Sequence, residues 1–242
     1  VWYVNSLASE EDTLWIGTYQ YGLIKLNKIT HEYQVYNLKE LGFKDNQATS
    51  VVVAKNGKVW FLSTQGLVNF DGVKWTLYDS LGVFLYQNGY AIKQDNKGNL
   101  WVRGDENLAK YDGQNWEVYS IIDTNSIFYG LTEIAFDSTG NMWISCMDFN
   151  NYKFKIQEIE NGKPIKSVAD TISNYFNNNI MMSSTIIDIQ IAKNGTVWFS
   201  LHDFFSGWEY LVRFYNDLSY DFTYDFYDDD FLPNGFCNRI TI

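Results

Sequence analysis

Five tryptophans, each set behind the same short turn, constrain this chain more than any other feature. The stretch Asp137-Ser138-Thr139-Gly140-Asn141-Met142-Trp143-Ile144-Ser145 recurs at intervals of roughly 40 to 55 residues. It returns as Glu11-Asp12-Thr13-Leu14-Trp15-Ile16-Gly17-Thr18, as Asn56-Gly57-Lys58-Val59-Trp60-Phe61-Leu62-Ser63, as Lys97-Gly98-Asn99-Leu100-Trp101-Val102-Arg103-Gly104 and as Asn194-Gly195-Thr196-Val197-Trp198-Phe199-Ser200. Trp15, Trp60, Trp101, Trp143 and Trp198 therefore mark five copies of one supersecondary unit, which buries its apolar surface only by stacking on its neighbours.

Each copy reads as four short strands. Ahead of the tryptophan lies an alternating run, as in Val51-Val52-Val53, Ile134-Ala135-Phe136 and Ile189-Gln190-Ile191, whose every second residue faces a buried layer. This is strand a. Asn-Gly or Lys-Gly then predicts a two-residue hairpin turn with positive φ, and the tryptophan run is strand b. Strand c is Gly22-Leu23-Ile24-Lys25-Leu26, matched by Gly66-Leu67-Val68-Asn69-Phe70, Asn107-Leu108-Ala109-Lys110-Tyr111 and Leu211-Val212-Arg213-Phe214. Asp71-Gly72 and Asp112-Gly113 turn the chain into strand d, Trp75-Thr76-Leu77-Tyr78 and Trp116-Glu117-Val118-Tyr119, with Tyr33-Gln34-Val35-Tyr36 equivalent in the first copy. Four antiparallel strands at this period predict an all-β fold, a β-propeller with five blades visible plus the first strand of a sixth. A two-sheet sandwich shares such turns but has no reason to repeat a tryptophan behind each of them.

The blades are expected at about 1–47, 48–88, 89–130, 131–184 and 185–236, in a single propeller domain or propeller segment; 242 residues is a length all-β folds reach undivided. Copies two and three are the most regular. Copy four departs at Tyr152-Lys153-Phe154-Lys155-Ile156, its expected strand c, and carries an insertion around Asn177-Asn178-Asn179; copy five has an acid-aromatic tail from Tyr220 to Phe231. Asn238-Arg239-Ile240-Thr241-Ile242 repeats the strand a pattern. Because an open sheet edge invites association, the expectation is a segment of a propeller of six to eight blades rather than a closed five-bladed ring.

The formal charge is 18 minus 29, or −11, which repels a phosphate backbone and excludes nucleic acid as a partner in the absence of a basic patch. No apolar run reaches the length of a membrane span. The sequence opens at Val1 without a signal pattern, as a mature or excised segment would. Cys146 and Cys237 fall in non-adjacent copies and are expected as two separate buried thiols rather than a disulfide.

An alternating strand, a Gly-x-Leu-Trp-Ile-Gly-Thr-like segment, a Gly-Leu element and an aromatic-x-x-Tyr strand together resemble the two-component regulator propeller repeat family. The resemblance runs through nearly the whole chain and is strongest in copies one to three. It implies the extracytoplasmic sensor part of a hybrid two-component regulator, or a cell-surface or secretion-associated protein, and so a periplasmic or cell-surface location. Sensors of that family contain more blades, a linking domain, a membrane helix and a kinase, none of which these residues include. A fold-building repeat specifies architecture and leaves the ligand open.

Chemistry-bearing motifs are few. His31 lies in the turn before a strand d, and His202-Asp203 is placed in the b-to-c loop of copy five. No nucleophile elbow, zinc-helix motif, phosphate loop or Cys-x-x-Cys pair occurs. No catalytic residue, metal ligand or cofactor is assigned, and the chain is read as a non-enzyme. The run Asp225-Phe226-Tyr227-Asp228-Asp229-Asp230 reads as a solvated or partner-facing loop, and the Asn194-Gly195-Thr196 sequon falls in a hairpin that needs its asparagine for the turn.

Blade geometry places b-to-c loops and blade-to-blade connectors at one end of the sheets. That end carries Tyr19, Gln20, Tyr21, Asp105, Glu106, Asp148, Asn150, Asn151, His202, Asp203 and Trp208. Flat aromatics beside carboxylates and amides suit the apolar ring faces and hydroxyls of sugars, and suit peptides equally. Tyr19, Tyr21, Asp105, Asp148, Asn150, His202, Asp203 and Trp208 are the candidate ligand-binding residues. The expected function is recognition of an oligosaccharide or other small extracellular ligand. A protein-interaction scaffold in a surface or secretion-associated assembly is the alternative, and a propeller lyase or glycosidase a third reading.

Overall fold

A computed structural model describes residues 3–78, 91–104, 107–121, 131–148, 153–160, 163–167, 184–192, 194–203, 209–214 and 220–225. Among them, twenty strands form five four-stranded sheets, each antiparallel and in chain order, the blades of a β-propeller. The first blade is β1 (Val4–Glu10), β2 (Thr13–Thr18), β3 (Leu23–Asn27) and β4 (Tyr33–Tyr36). The second is β5 (Val51–Val53), β6 (Val59–Ser63), β7 (Gly66–Phe70) and β8 (Trp75–Tyr78), and the third β9 (Ala91–Gln94), β10 (Leu100–Arg103), β11 (Asn107–Tyr111) and β12 (Trp116–Ser120). The fourth is β13 (Leu131–Phe136), β14 (Met142–Asp148), β15 (Lys153–Glu160) and β16 (Lys163–Ser167); the fifth is β17 (Ser184–Ile191), β18 (Val197–Asp203), β19 (Glu209–Phe214) and β20 (Tyr220–Asp225). The chain divides into two compact units, Val1–Tyr119 with three blades and Ser120–Ile242 with two.

Register makes each blade two-faced. Trp15 sits opposite Ala8 and Lys25, and because side chains alternate across a strand, Leu23 and Tyr36 share its face. In the first unit this tryptophan face packs on Val51, Phe61, Val68 and Phe70 of the second blade. The second blade turns Trp60, Leu62 and Leu67 in turn toward Ile92, Leu100 and Val102 of the third. Aromatic contacts reinforce both interfaces: Trp15 lies 5.9 Å from Tyr36 and 6.2 Å from Phe70, and Trp60 lies 5.7 Å from Tyr111 across the next interface. In the second unit β13 lies against β17, with Trp143 on the fourth blade and Ile189, Phe199 and Val212 on the fifth all buried. Both interfaces of the first unit join the tryptophan face of one blade to the aliphatic face of the following one.

The hairpins between strands a and b differ from the expected two-residue turn. Only β1 and β2 have it, with Glu10 paired to Thr13. Elsewhere the loop holds three residues and ends in a glycine of positive φ: Ala54 donates to Lys58 O while Gly57 (φ 76°) donates to Ala54 O, and the pattern repeats at Gly98, Gly140 and Gly195. A type I turn followed by a left-handed residue fits the twist of the strands. In the third blade Asp95 opens this loop and organises it. Its carboxylate accepts from Lys97 N (3.0 Å), Asn99 N (2.8 Å) and Asn99 Nδ2 (2.7 Å), and from the Trp101 indole Nε1 at 3.0 Å. Asp137 does the same in the fourth blade, accepting from Thr139, Asn141 and Trp143 Nε1 (3.3 Å). Burial pushes the Asp137 carboxyl up, but the hydrogen bonds from Thr139, Trp143 and Asn141 more than offset it and hold the group below the ordinary carboxylate range. The second and fifth blades carry Ala54 and Ala192 at this place, and the buried Trp60 Nε1 has no acceptor.

Further departures from the sequence reading lie in the second unit. The expected strand c of the fourth blade is β15, which contains residues 153–156 but runs on to Glu160 and puts Glu158 opposite Trp143, where the first three blades have Lys25, Asn69 and Lys110. β16 supplies a strand d that the sequence did not reveal, and β20 takes its strand from the start of the acid-aromatic tail. Trp198 is half-buried, whereas Trp15, Trp60, Trp101 and Trp143 are buried. Cys146 is buried; Cys237, Asn177-Asn178-Asn179 and the strand expected at 238–242 lie outside the described residues. Among the described residues, no helix is long and apolar enough to cross a membrane.

Replacing Trp101 by alanine is expected to cost about 3 to 5 kcal/mol, read from denaturant unfolding. An unchanged midpoint would contradict the burial of this ring in the third blade. Asp95→Ala, which removes the carboxylate that accepts from the Trp101 indole and from the turn amides, should lower stability by about 1 to 3 kcal/mol. Ala54→Asp, supplying Trp60 with the missing acceptor, should raise the melting temperature.

Candidate functional site

Successive antiparallel strands bring each b-to-c loop to the sheet end where a blade hands over to the next. In the first unit backbone hydrogen bonds lock these segments together. Thr18 closes the β2–β3 loop by accepting at Oγ1 from Tyr21 N (2.9 Å) and donating from Oγ1 to Gly22 O (2.8 Å). Gly22 N donates to Asn46 O (2.8 Å) and Ala48 N to Thr18 O (2.8 Å), tying the loop to the connector into the second blade. Gly22 has φ 79°, and a Cβ there would run into the Tyr36 carbonyl oxygen. The backbone is thus fixed while Tyr19, Gln20 and Tyr21 stay exposed.

Two of the predicted residues, Tyr19 and Tyr21, therefore share one rigid loop. Tyr3 joins them: Tyr19 N donates to Tyr3 O at 3.0 Å, and the Tyr3 side chain is exposed. Beyond the connector, Thr64 Oγ1 donates to Asp45 Oδ2, and Lys44 N donates to Gln65 Oε1 at 2.6 Å, so the β6–β7 loop of the second blade is pinned to the same connector. Tyr3, Asp45 and Thr64 were not singled out from the sequence. The pairing of Thr64 with Asp45 depends on residues from two repeats, and periodicity alone gives no signal for it.

The remaining predicted residues are placed differently. Asp148 is the last residue of β14, opposite Lys153. His202 and Asp203 are not in a loop: they end β18, with His202 paired to Thr185 and Glu209 and Asp203 to Ser184. The ladder extends because β17 and β19 continue alongside. Asp105, Asn150 and Trp208, with Glu106 and Asn151, lie outside the described residues. His31 sits at φ 60° in the β3–β4 turn, at the opposite sheet end, where its N–H donates to Asn27 O (3.0 Å). Asn194 Oδ1 accepts from Thr196 N (3.1 Å), so the sequon asparagine serves the hairpin. Among the described residues no group of three His, Cys, Asp or Glu side chains is arranged to hold a metal ion.

No protein-family model matches this chain, and no curated protein matches it in sequence. Solved structures do. The extracellular domain of BT3049 from B. thetaiotaomicron, assigned to a hybrid two-component system, superposes with a TM-score of 0.65 at 19% identity, over 96% of this chain and 29% of that one. PorZ, an essential surface component of the type-IX secretion system of Porphyromonas gingivalis, matches with a TM-score of 0.61 at 14% identity, over 93% of this chain and 34% of that one. Virginiamycin B lyase from Staphylococcus aureus matches with a TM-score of 0.58 at 12% identity, over 91% of this chain and 84% of that one. The chain is similar in fold to the propeller domains of extracellular sensors and surface components, and it spans about a third of their length. At these identities the likeness is one of fold.

Gly22→Ala should disorder the tyrosine loop, through both the positive φ and the clash with Tyr36 O. Limited proteolysis is expected to cut the variant near residues 19–23 under conditions that leave the parent intact.

Proposed function

We propose that this chain is a non-catalytic recognition propeller, a sensor-like extracytoplasmic segment that binds an oligosaccharide or other small extracellular ligand at the b-to-c loop end of its blades. The observation that carries the reading is the β2–β3 loop of the first blade, whose backbone is fixed by Thr18, Gly22 and the connector while Tyr19 and Tyr21 remain exposed. Exposed aromatics on a rigid backbone offer flat apolar area at little entropic cost on binding. Their hydroxyls, with the carboxylate and hydroxyl of Asp45 and Thr64 nearby along the connector, supply the polar half that a sugar requires. The similarity to BT3049, an extracellular domain, supports the extracytoplasmic placement. The similarity to PorZ supports the second reading, a scaffold in a cell-surface assembly. Both readings use the same end of the blades.

Calorimetry against a panel of glycans tests the first reading. Binding of one panel member is expected, weakened at least about fivefold, near 1 kcal/mol, by Tyr21→Ala. Asn56→Ala, in a hairpin at the opposite sheet end, should leave it unchanged. The reverse order would put the site at the wrong end, and glycan turnover abolished by replacing a single loop carboxylate would make the protein an enzyme.

A further inference from the structure

At the loop end of the first unit, the tyrosine loop and the connector behind it form one hydrogen-bonded piece. Gly22 N donates to Asn46 O (2.8 Å), and Lys39 N donates to the side-chain oxygen Oδ1 of the same Asn46 (3.0 Å). Lys44 N, two residues back from Asn46, donates to Gln65 Oε1. All of these residues lie within Val1–Tyr119, so the surface they build belongs to one compact unit.

Along this piece the acceptors are already in use. Asp45 accepts from Thr64 Oγ1 and from Gln47 N (2.9 Å), and Glu40 accepts from Asn37 Nδ2 (2.6 Å). The side-chain oxygens of Asn46 and Gln65 take backbone N–H groups. The donors are not in use. Because a backbone N–H can only donate, the amide oxygens of Asn46 and Gln65 must face Lys39 N and Lys44 N, and both NH2 groups are left over. Lys39 and Lys44 are exposed. Although Glu40 and Asp45 are their chain neighbours, neither ammonium group has a hydrogen-bond or ion-pair partner among the described residues.

Uncommitted donors, two of them charged, tied to a loop with exposed Tyr19 and Tyr21 complement a sugar that carries anions as well as ring faces. We infer that the ligand of this surface is an acidic oligosaccharide, bearing carboxylates or sulfates, with its rings against Tyr19 and Tyr21 and its anionic groups on Lys39 and Lys44. The inference rests on the loop end being the binding surface, as proposed above, and names the class of sugar it takes. The chain's charge of −11 does not forbid such a ligand. Charges farther away than about 8 Å are largely screened at physiological salt, whereas the two ammonium groups act at contact.

Calorimetry with matched sugars provides the test: oligogalacturonides beside their carboxyl-reduced form, and sulfated carrageenan oligosaccharides beside their desulfated form. At least one acidic member should bind more tightly than its neutral counterpart, and less tightly as salt is raised. Lys39→Met and Lys44→Met keep every backbone hydrogen bond of the connector and should melt like the parent. Each is expected to weaken the acidic sugar about fivefold and to leave the neutral one unchanged, whereas Tyr21→Ala should weaken both. A neutral form that binds as well as its acidic partner, or lysine variants without effect, overturns the inference and leaves the recognition propeller standing. A poly-glutamate peptide bound as tightly as the best acidic sugar overturns it too, by making the surface a general anion site. If no sugar binds, charged or neutral, the recognition reading falls and the inference falls with it.

Discussion

A four-stranded sheet of this size with apolar residues on both faces has no stable existence by itself, and the contact that resolves the difficulty is tryptophan face on aliphatic face. In the first unit the second blade gives one face to the first blade and the other to the third. Trp15 with Leu23 and Tyr36 covers Phe61 and Val68; Trp60 with Leu62 and Leu67 covers Ile92 and Val102. The large indole fixes the distance between sheets, and the β-branched and phenyl side chains opposite fill the space around it at the close packing that interiors require. All else in the blades, from hairpin chemistry to the outer strand, is arranged around that contact.

The hairpins show how a buried tryptophan brings a polar obligation with it. An indole N–H taken out of water needs an acceptor, and in the third and fourth blades one aspartate provides it while also closing the turn. The second blade keeps the turn by way of Asn56 and Gly57 but has alanine at the aspartate position, leaving Trp60 Nε1 unpaired. The repeat therefore conserves packing more strictly than hydrogen bonding, as expected if burial of ring area outweighs a net hydrogen-bond contribution of about 1 kcal/mol.

The two ends of the blades are built on different rules. At the hairpin end, side chains such as Asp71, Asp95 and Asp112 are consumed by the turns they hold. At the other end, the first unit secures its loops largely with backbone groups and small hydroxyls, as at Thr18, Gly22 and Ala48. Tyr19 and Tyr21 can then vary without loss of the loop, which is the property a recognition surface needs.

The sequence by itself determined the blade: strand order, turn positions and the tryptophan marker follow from a period-two pattern repeated at near-constant spacing, and such local patterns survive without knowledge of partners. It also placed Tyr19 and Tyr21 in one loop, since that loop is flanked by regular strands. Only the tertiary structure decided the length of strands where loops diverge, so that the extent of β15 and the existence of β16 went unread and His202 and Asp203 belong to β18 instead of a loop; a ladder lengthens when its neighbours continue beside it, and neighbours are not visible in a single strand. Likewise, Leu7 and Val51 look alike in sequence. Leu7 is exposed and Val51 buried, a difference set by what lies against each in space and not by the repeat.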